Sequence, residues 1–178
     1  MLGVAERETL PVAEARAGDA DAWAALFQRY RLPLYVYIFE LVRDEQTSLD
    51  LVQETFINAF RHLRSLRDDE KFGSWLFSIA HQKCVKQWRR RDRQVEPEMP
   101  ETDDTPVELL IREEQEEEFM KLLEKLPVTQ RSAILLHYVE EFSLEEIARI
   151  TGANTGTVKS RLHYAKRALR KLLKEGAQ

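Results

Sequence analysis

The sequence contains one cysteine, Cys84, which excludes an internal disulfide framework and any cysteine-based zinc site, and suits a reducing compartment. Glycine and proline are scarce, at six each in 178 residues, and alternating β-branched stretches are rare. Sheet architectures built on many turns are therefore disfavoured. No apolar run approaches the roughly 20 residues needed to span a bilayer. The nearest, LPLYVYIFELV, is short and broken by Glu40. The N-terminal MLGVAERETLP lacks the basic and apolar regions of a secretory leader, so a cytoplasmic protein without membrane insertion is expected. The four histidines, His62, His81, His137 and His163, fall in separate segments, and no P-loop, HExxH or nucleophile–base set accompanies them. The expectation is a non-enzyme that needs neither metal nor cofactor. His137, in an apolar helix, and Cys84, on a stripe with Leu76, Ala80 and Trp88, read as packed residues.

What is present is helical. Hydrophobic residues make up 43% of the chain and charged residues 33%, enough for packed cores under a polar surface. Thr9 is positioned to cap a first short helix, and Asp19 or Asp21 a second from about Ala22. Pro33 should kink that second helix or start a new one. A third helix is expected from about Thr47 to Arg64, burying Val52, Phe56, Ala59, Phe60 and Leu63. SLRDDEKFG reads as loop, and a fourth helix covers about Ser74 to Arg91, with Leu76, Ile79, Ala80 and Trp88 inward. Residues 93–107, with three prolines and clustered acids, have nothing to pack and read as a linker, whose roughly 15 residues reach about 50 Å when extended. Helices over 108–126 and 128–141 follow it.

Charge is unevenly spread. The net value is −4, yet Lys83 to Arg93 carries +5 and Asn154 to Glu175 carries +6, while Asp92 to Glu108 carries −6. Two basic segments thus flank an acidic tether. The second basic segment has a recognisable grammar. Ser143 and Glu146 form an S-x-x-E capping box opening a helix at Leu144, with Leu144, Ile147 and Ala148 inward. Gly152 stops it, and Asn154 or Thr155 caps the next helix, where Val158, Leu162, Ala165, Leu169 and Leu172 make one apolar stripe. Two short helices, a glycine turn and a basic second helix match a helix-turn-helix, in which early residues of the second helix meet base edges and later cations meet phosphate. A helical hairpin with a solvated basic face would show the same pattern.

Four stretches in order, DLVQETFINAF (50–60), FGSWLFSIA (72–80) with RRR (89–91), LPVTQRSAILLHYVEEFSLEEIA (126–148) and GTVKSRLHYAKRAL (156–169), resemble the small two-domain sigma factors of bacterial RNA polymerase, the extracytoplasmic-function (ECF) group. The resemblance covers about residues 20 to 173. It implies an all-α fold of two small helical domains joined by an acidic, proline-containing linker: 1–92 for core docking and the −10 element, 93–107 as tether, 108–178 as helix-turn-helix for the −35 element. It implies docking on the polymerase beta-prime coiled coil through Asp50, Gln53, Glu54, Ile57 and Arg61. The carboxylates of Asp50 and Glu54, at i and i+4, repel each other, which suits an external basic partner. The loop from about His62 to Lys71 would help hold a base extruded from the non-template strand. His62, Arg64, Arg67, Lys71, Lys83, Lys86, Arg89 and Arg90 are the implied −10 contacts. Gln82 and Lys86 depart from the asparagine and aspartate usual in the group. Thr155, Thr157, Lys159, Ser160, Arg161, His163, Lys166 and Arg167 are the implied −35 contacts, and Trp75 and Trp88 read as core or domain-edge residues.

The implied partners are core RNA polymerase (beta-prime coiled coil and beta subunit) and promoter DNA, with the acidic linker threading towards the RNA exit path. The group often pairs with an inhibitory anti-sigma factor, though no residue identifies one. The free chain is expected to be a monomer. The competing readings are a helix-turn-helix regulator binding palindromic operators as a dimer without polymerase, and a sigma-like decoy for a regulatory protein. An acidic chain with two separate basic faces neutralises few phosphates by itself, so selectivity is expected only when polymerase holds both readers in place.

Overall fold

The computed structural model describes residues 9–91 and 116–176, and every regular element among them is helical. The expected linker and the start of the 108–126 helix lie outside the described residues. The first half comprises α1 (Val12–Ala17), α2 (Ala20–Val42), α3 (Glu45–His62) and α4 (Phe72–Arg91). The second comprises α5 (Glu116–Glu124), α6 (Val128–Ile134) continued by a π-helical turn over Leu135–Val139, α7 (Leu144–Thr151) and α8 (Thr155–Gly176).

Local chemistry sets most of the boundaries. Asp19 accepts from the Ala22 amide and Asp44 from the Thr47 amide, satisfying donors left open in the first turns of α2 and α3. Helix α1 departs from expectation: Pro11, not Thr9, precedes its first residue, which suits a residue with no amide hydrogen to leave unsatisfied. Pro33 neither ends nor divides α2, which runs through it for 23 residues because the flanking Leu26, Leu34, Tyr37, Ile38 and Leu41 are all buried. Helix α2 ends at Arg43, held in the left-handed region at φ 55° by its amide bond to the Phe39 carbonyl, 2.8 Å. The loop between α3 and α4 contains two short 3₁₀ turns, Leu63–Ser65 and Asp69–Lys71.

The larger departure is in the assembly of the halves. Instead of two separate cores, one contiguous set of buried side chains runs from Val12 on α1 to Leu169 on α8. Phe77 of α4 meets Phe142, just before α7, edge to face at 5.2 Å, and Tyr37 of α2 reaches Ser132 of α6. Two helical modules are present as expected, but they are packed on each other.

Candidate functional site

Helix α3 has two unlike faces. Leu51, Val52, Thr55, Phe56 and Ala59 are buried, whereas Asp50, Gln53, Glu54, Ile57 and Arg61 all reach solvent. The five residues expected to dock a partner therefore share the outward side. Phe60 corrects the expected buried stripe: it is 63% exposed, because its place on the helix points it past Ala59 towards α2 rather than into the core. There it packs against Trp23 at a tilt, 5.2 Å between ring centres, and Phe27 meets Phe56 edge to face at 4.8 Å. Together with Ala24, Ile57 and Arg61 these rings line an open apolar groove beside the acidic residues. The two carboxylates also have internal partners: Gln46 donates to Asp50 at 3.1 Å and Lys83 to Glu54 at 3.1 Å. Their mutual repulsion is thus partly relieved within the chain.

The loop before α4 is pinned from α1. Arg16 donates to the Asp69 carboxylate and, at 3.2 Å, to the Leu66 carbonyl. Ser65 donates to the His62 carbonyl at 2.7 Å, and Asp68 accepts from the Glu70 amide at 3.0 Å. This holds His62, Arg64 and Arg67 at the surface. Lys83, Lys86 and Arg90 repeat at steps of three and four on one side of α4, with Arg89 adjacent; Lys86, Arg89 and Arg90 are exposed. Lys71 is only half-buried yet already engaged, 3.4 Å from Glu146 of α7. Trp88 donates to the Leu41 carbonyl at 3.1 Å and Trp75 packs near Phe72, so both are edge-of-core residues as expected.

The helix-turn-helix forms as its signals dictate. Ser143 and Glu146 complete the reciprocal capping box, at 3.0 and 3.2 Å. Gly152 adopts φ 70°, a conformation open to glycine at little cost. Asn154 accepts from the Thr157 amide at 2.7 Å and so is the cap of α8. Val158, Leu162, Ala165 and Leu169 are buried, while Leu172 is only partly covered. Thr155, Lys159 and Arg167 are exposed; Thr157, Ser160, Arg161, His163 and Lys166 are partly covered. The Lys166 ammonium lies 5.5 Å from the centre of the Tyr138 ring, a cation–π contact within its own module. Burial lowers the Arg161 guanidinium from its ordinary value.

Between the modules lies a buried polar cluster that sequence reasoning missed. The Tyr37 hydroxyl is 2.8 Å from both His81 Nδ1 and Ser132 Oγ. Burial, followed by the Arg161 charge, brings His81 down to about 4, so the imidazole is neutral at neutral pH. Arg131 donates to the carbonyls of Leu123 (2.8 Å), Glu124 (2.7 Å) and Leu126 (3.0 Å) at the end of α5 and, across the interface, to Glu40 (2.5 Å) near the end of α2. A buried guanidinium demands several acceptors, and Arg131 finds four backbone carbonyls; flanked by Thr129, Gln130 and Ser132, it gave no local signal of that burial. Cys84 is buried and its thiol is pushed up to about 12, in keeping with a packed role. Among the described residues, no group of three or more His, Cys, Asp and Glu is placed to hold a metal ion, and no helix is long and apolar enough to cross a membrane.

Two families match the chain in order: Sigma-70 region 2 over residues 26–94, and Sigma-70, region 4, over residues 116–169. The ECF RNA polymerase sigma factor SigL of Mycobacterium tuberculosis is 33% identical over 177 residues, covering 92% of this chain and 96% of that protein. The ECF RNA polymerase sigma factor SigW of Bacillus subtilis is 28% identical over 178 residues, covering 92% and 95%. Among solved structures, the sigma factor RpoE in complex with the anti-sigma factor NepR, from Bartonella quintana, superposes with a TM-score of 0.68 at 28% identity, covering 87% of this chain and 98% of that one. CnrH in complex with the cytosolic domain of CnrY shares the fold, with a TM-score of 0.69 at 24% identity, covering 96% and 99%.

Proposed function

The chain belongs to the sigma-70 family of RNA polymerase sigma factors, in its extracytoplasmic-function group, and from that premise we propose how its surfaces divide the work. It directs core RNA polymerase to promoters and starts transcription through the −10 and −35 elements. A regulator acting on operators without polymerase has no use for a region 2 match, and that reading is not favoured.

The outer face of α3, Asp50, Gln53, Glu54, Ile57 and Arg61, is assigned to the beta-prime coiled coil of core polymerase. The neighbouring groove of Trp23, Phe27, Ile57 and Phe60 extends that contact with apolar area. Aromatic side chains that keep solvent exposure beside a charged rim have the composition of an interface centre. The loop His62–Lys71 and the basic residues Lys83, Lys86, Arg89 and Arg90 are assigned to the −10 element, the loop to an unstacked base and the cations to phosphate. Helix α8 is assigned to the −35 element, Thr155 to Arg161 nearest the bases and His163, Lys166 and Arg167 along the backbone. The division of the chain at 1–92, 93–107 and 108–178 follows these assignments, with the tether passing along the polymerase towards the RNA exit path and the beta subunit. The protein contributes recognition and the polymerase supplies the chemistry, so no catalytic residue, metal or cofactor is assigned. Work of this kind is cytoplasmic. An anti-sigma factor is a fitting partner, as NepR is for RpoE.

The observation that carries the reading is the division of α3 itself: within one helix of the region 2 match, a fully packed face stands opposite an acidic face edged by exposed aromatics. The test is in vitro transcription with core polymerase over a genomic fragment library, reading start sites. The expected result is a set of starts sharing an asymmetric, two-part upstream sequence. Starts that share only one element, or none, would refute the two-reader assignment.

A further inference from the structure

We propose that Arg16, on the short helix α1 ahead of the Sigma-70 region 2 match over residues 26–94, is the positioning residue that sets the shape of the −10 loop and so its selectivity for the base it receives. The inference rests on the assignment of the loop His62–Lys71 to an unstacked base, and adds the residue that holds this receptor in form before the base arrives.

Residue type alone does not fix the loop. From Arg64 to Lys71 it reads RSLRDDEK, with neither the glycine nor the proline that commits a backbone to one turn. Leu63 and Leu66 anchor its first 3₁₀ turn in the core, and Phe72 anchors the start of α4. The second turn, Asp69–Lys71, buries no residue of its own. Each turn closes on itself: the Leu66 amide donates to the Leu63 carbonyl at 3.1 Å, and the Lys71 amide to the Asp68 carbonyl at 3.0 Å. Neither bond fixes one turn relative to the other. Arg16 does. One of its terminal nitrogens donates to the Leu66 carbonyl, where the first turn ends, at 3.2 Å, and to the Asp69 carboxylate, where the second begins. Its other terminal nitrogen lies 3.5 Å from the second carboxylate oxygen. A planar, forked guanidinium bridges two acceptors in this way, whereas a lysine ammonium serves as a point charge.

The brace stands on a fixed base. A helix of six residues is not stable by itself, and α1 is held by burial of Val12 and Ala15 and by the Trp23 indole, which donates to the Ala15 carbonyl at 2.9 Å. Past its end, the Gly18 amide returns to the Ala15 carbonyl at 3.0 Å and the Asp19 amide to the Glu14 carbonyl at 3.1 Å. The Arg16 side chain is 30% exposed, yet its Nε is buried with no partner among the described residues. An unmet buried donor costs stability, which an arginine turned to solvent would avoid. Its inward placement is explained by the two turns that its terminal nitrogens join. Arg16 also lies outside the groove assigned to core polymerase, so its effect falls on the loop. A receptor already in order loses little freedom when its ligand enters, and small misplacements of contacting groups weaken recognition steeply.

The test uses the full chain, first alone and then with core polymerase. In the free chain, Arg16→Ala is expected to raise hydrogen exchange across Leu63–Lys71 at least about fivefold, while α3 and α4 keep wild-type protection. With polymerase, promoters varied at each −10 position are transcribed in competition. Arg16→Ala is expected to cut the preference between best and worst base at the loop-read position at least about fivefold. In a chain already carrying Asp69→Ala the same change should cost less than about twofold, because the two residues act through one contact. Core affinity and the slope of log promoter affinity against log salt should stay at wild-type values, as expected of a residue that touches neither polymerase nor phosphate. Arg16→Lys, which keeps the charge without the fork, should restore the preference only in part. Unchanged exchange, unchanged preference, equal losses with and without Asp69→Ala, a lowered salt slope or full restoration by lysine each overturn the proposal. If circular dichroism shows Arg16→Ala unfolded, Asp69→Asn, which weakens the same pair at constant side-chain size, is read by the same exchange and preference criteria. Arg67→Ala, a direct change at an exposed loop residue, separates the inference from the reading beneath it. A −10 preference altered by Arg67→Ala but not by Arg16→Ala counts against the brace alone, whereas a preference altered by neither removes the loop from the −10 element and the brace with it.

Discussion

Lys83 of α4 donates to Glu54 of α3 across 3.1 Å, so the helix assigned to the −10 element is tied to the helix assigned to polymerase by one ion pair. The pair is unequal: Glu54 is largely exposed and Lys83 largely covered. An exposed pair of this sort adds at most about 1 kcal/mol to stability. Its loss should therefore leave the fold intact while changing the charge that faces a partner.

That contrast gives the first prediction. Asp50→Lys combined with Glu54→Lys should lower core-polymerase affinity at least tenfold, with thermal unfolding shifted by no more than a few degrees. Co-purification and fluorescence titration against core enzyme check the first part, calorimetry the second. Retention of core at wild-type levels would move the docking surface off α3.

Phe60→Ser separates docking from packing in another way. A ring left 63% exposed contributes little to the core, so unfolding should shift by less than about 1 kcal/mol. If the groove is the apolar centre of the polymerase contact, loss of the ring should cost about 2 kcal/mol of binding, roughly thirtyfold. A neutral result in titration would leave the groove outside the interface.

Much of this was legible in the sequence because short-range rules govern it. The capping box at Ser143 and Glu146, the glycine stop at Gly152 and the stripe from Val158 to Leu169 depend on neighbours three or four residues away, and each formed as read. The exposed row from Asp50 to Arg61 was legible for the same reason. Phe60 was misread because helical spacing places it at the margin of the buried stripe, where only the position of α2 decides whether a ring is covered. Of the two outcomes expected at Pro33, a new helix did not arise, because tertiary burial on both sides of it held α2 together. The interface between modules was out of reach: Tyr37 and Ser132 are 95 residues apart, and no local pattern pairs them. Arg131 carries no local signal of its burial either, since Thr129, Gln130 and Ser132 flank it in the sequence.

The −35 assignment predicts a graded loss. Lys159→Ala should weaken promoter complexes across sequences and reduce the dependence of log affinity on log salt by about one, as expected for one released phosphate contact. Arg161→Ala should instead relax preference within the upstream element, costing about 1–3 kcal/mol at a matched base. Run-off transcription on promoters varied at each upstream position distinguishes the two. Equal effects on all sequences from both variants would assign Arg161 to phosphate.

Acid titration tests two separate groups, buried His81 and partly covered Glu140, shifted in opposite directions from their ordinary values. His81 sits at about 4, below its ordinary 6.5, through burial and then the Arg161 charge. The unfolded chain binds the extra proton first, so the stability tied to neutral His81 is complete above pH 6.5 and is lost as pH falls towards 4. Glu140 has the reverse sign. Burial lifts it to about 7 from 4.5, against a smaller pull from Arg29. Its folded form holds the proton longer, so its contribution is complete below pH 4.5 and is lost as pH rises to about 7. Over the shared window the slopes oppose each other, and wild-type stability should be nearly flat. Glu140→Gln removes one slope, leaving stability that climbs with pH by up to about 3 kcal/mol between pH 4 and 6.5. Urea unfolding of both proteins at half-unit pH steps provides the comparison. Parallel curves for the two would mean that Glu140 is ionised throughout the window, and that burial beside Arg29 does not hold its proton.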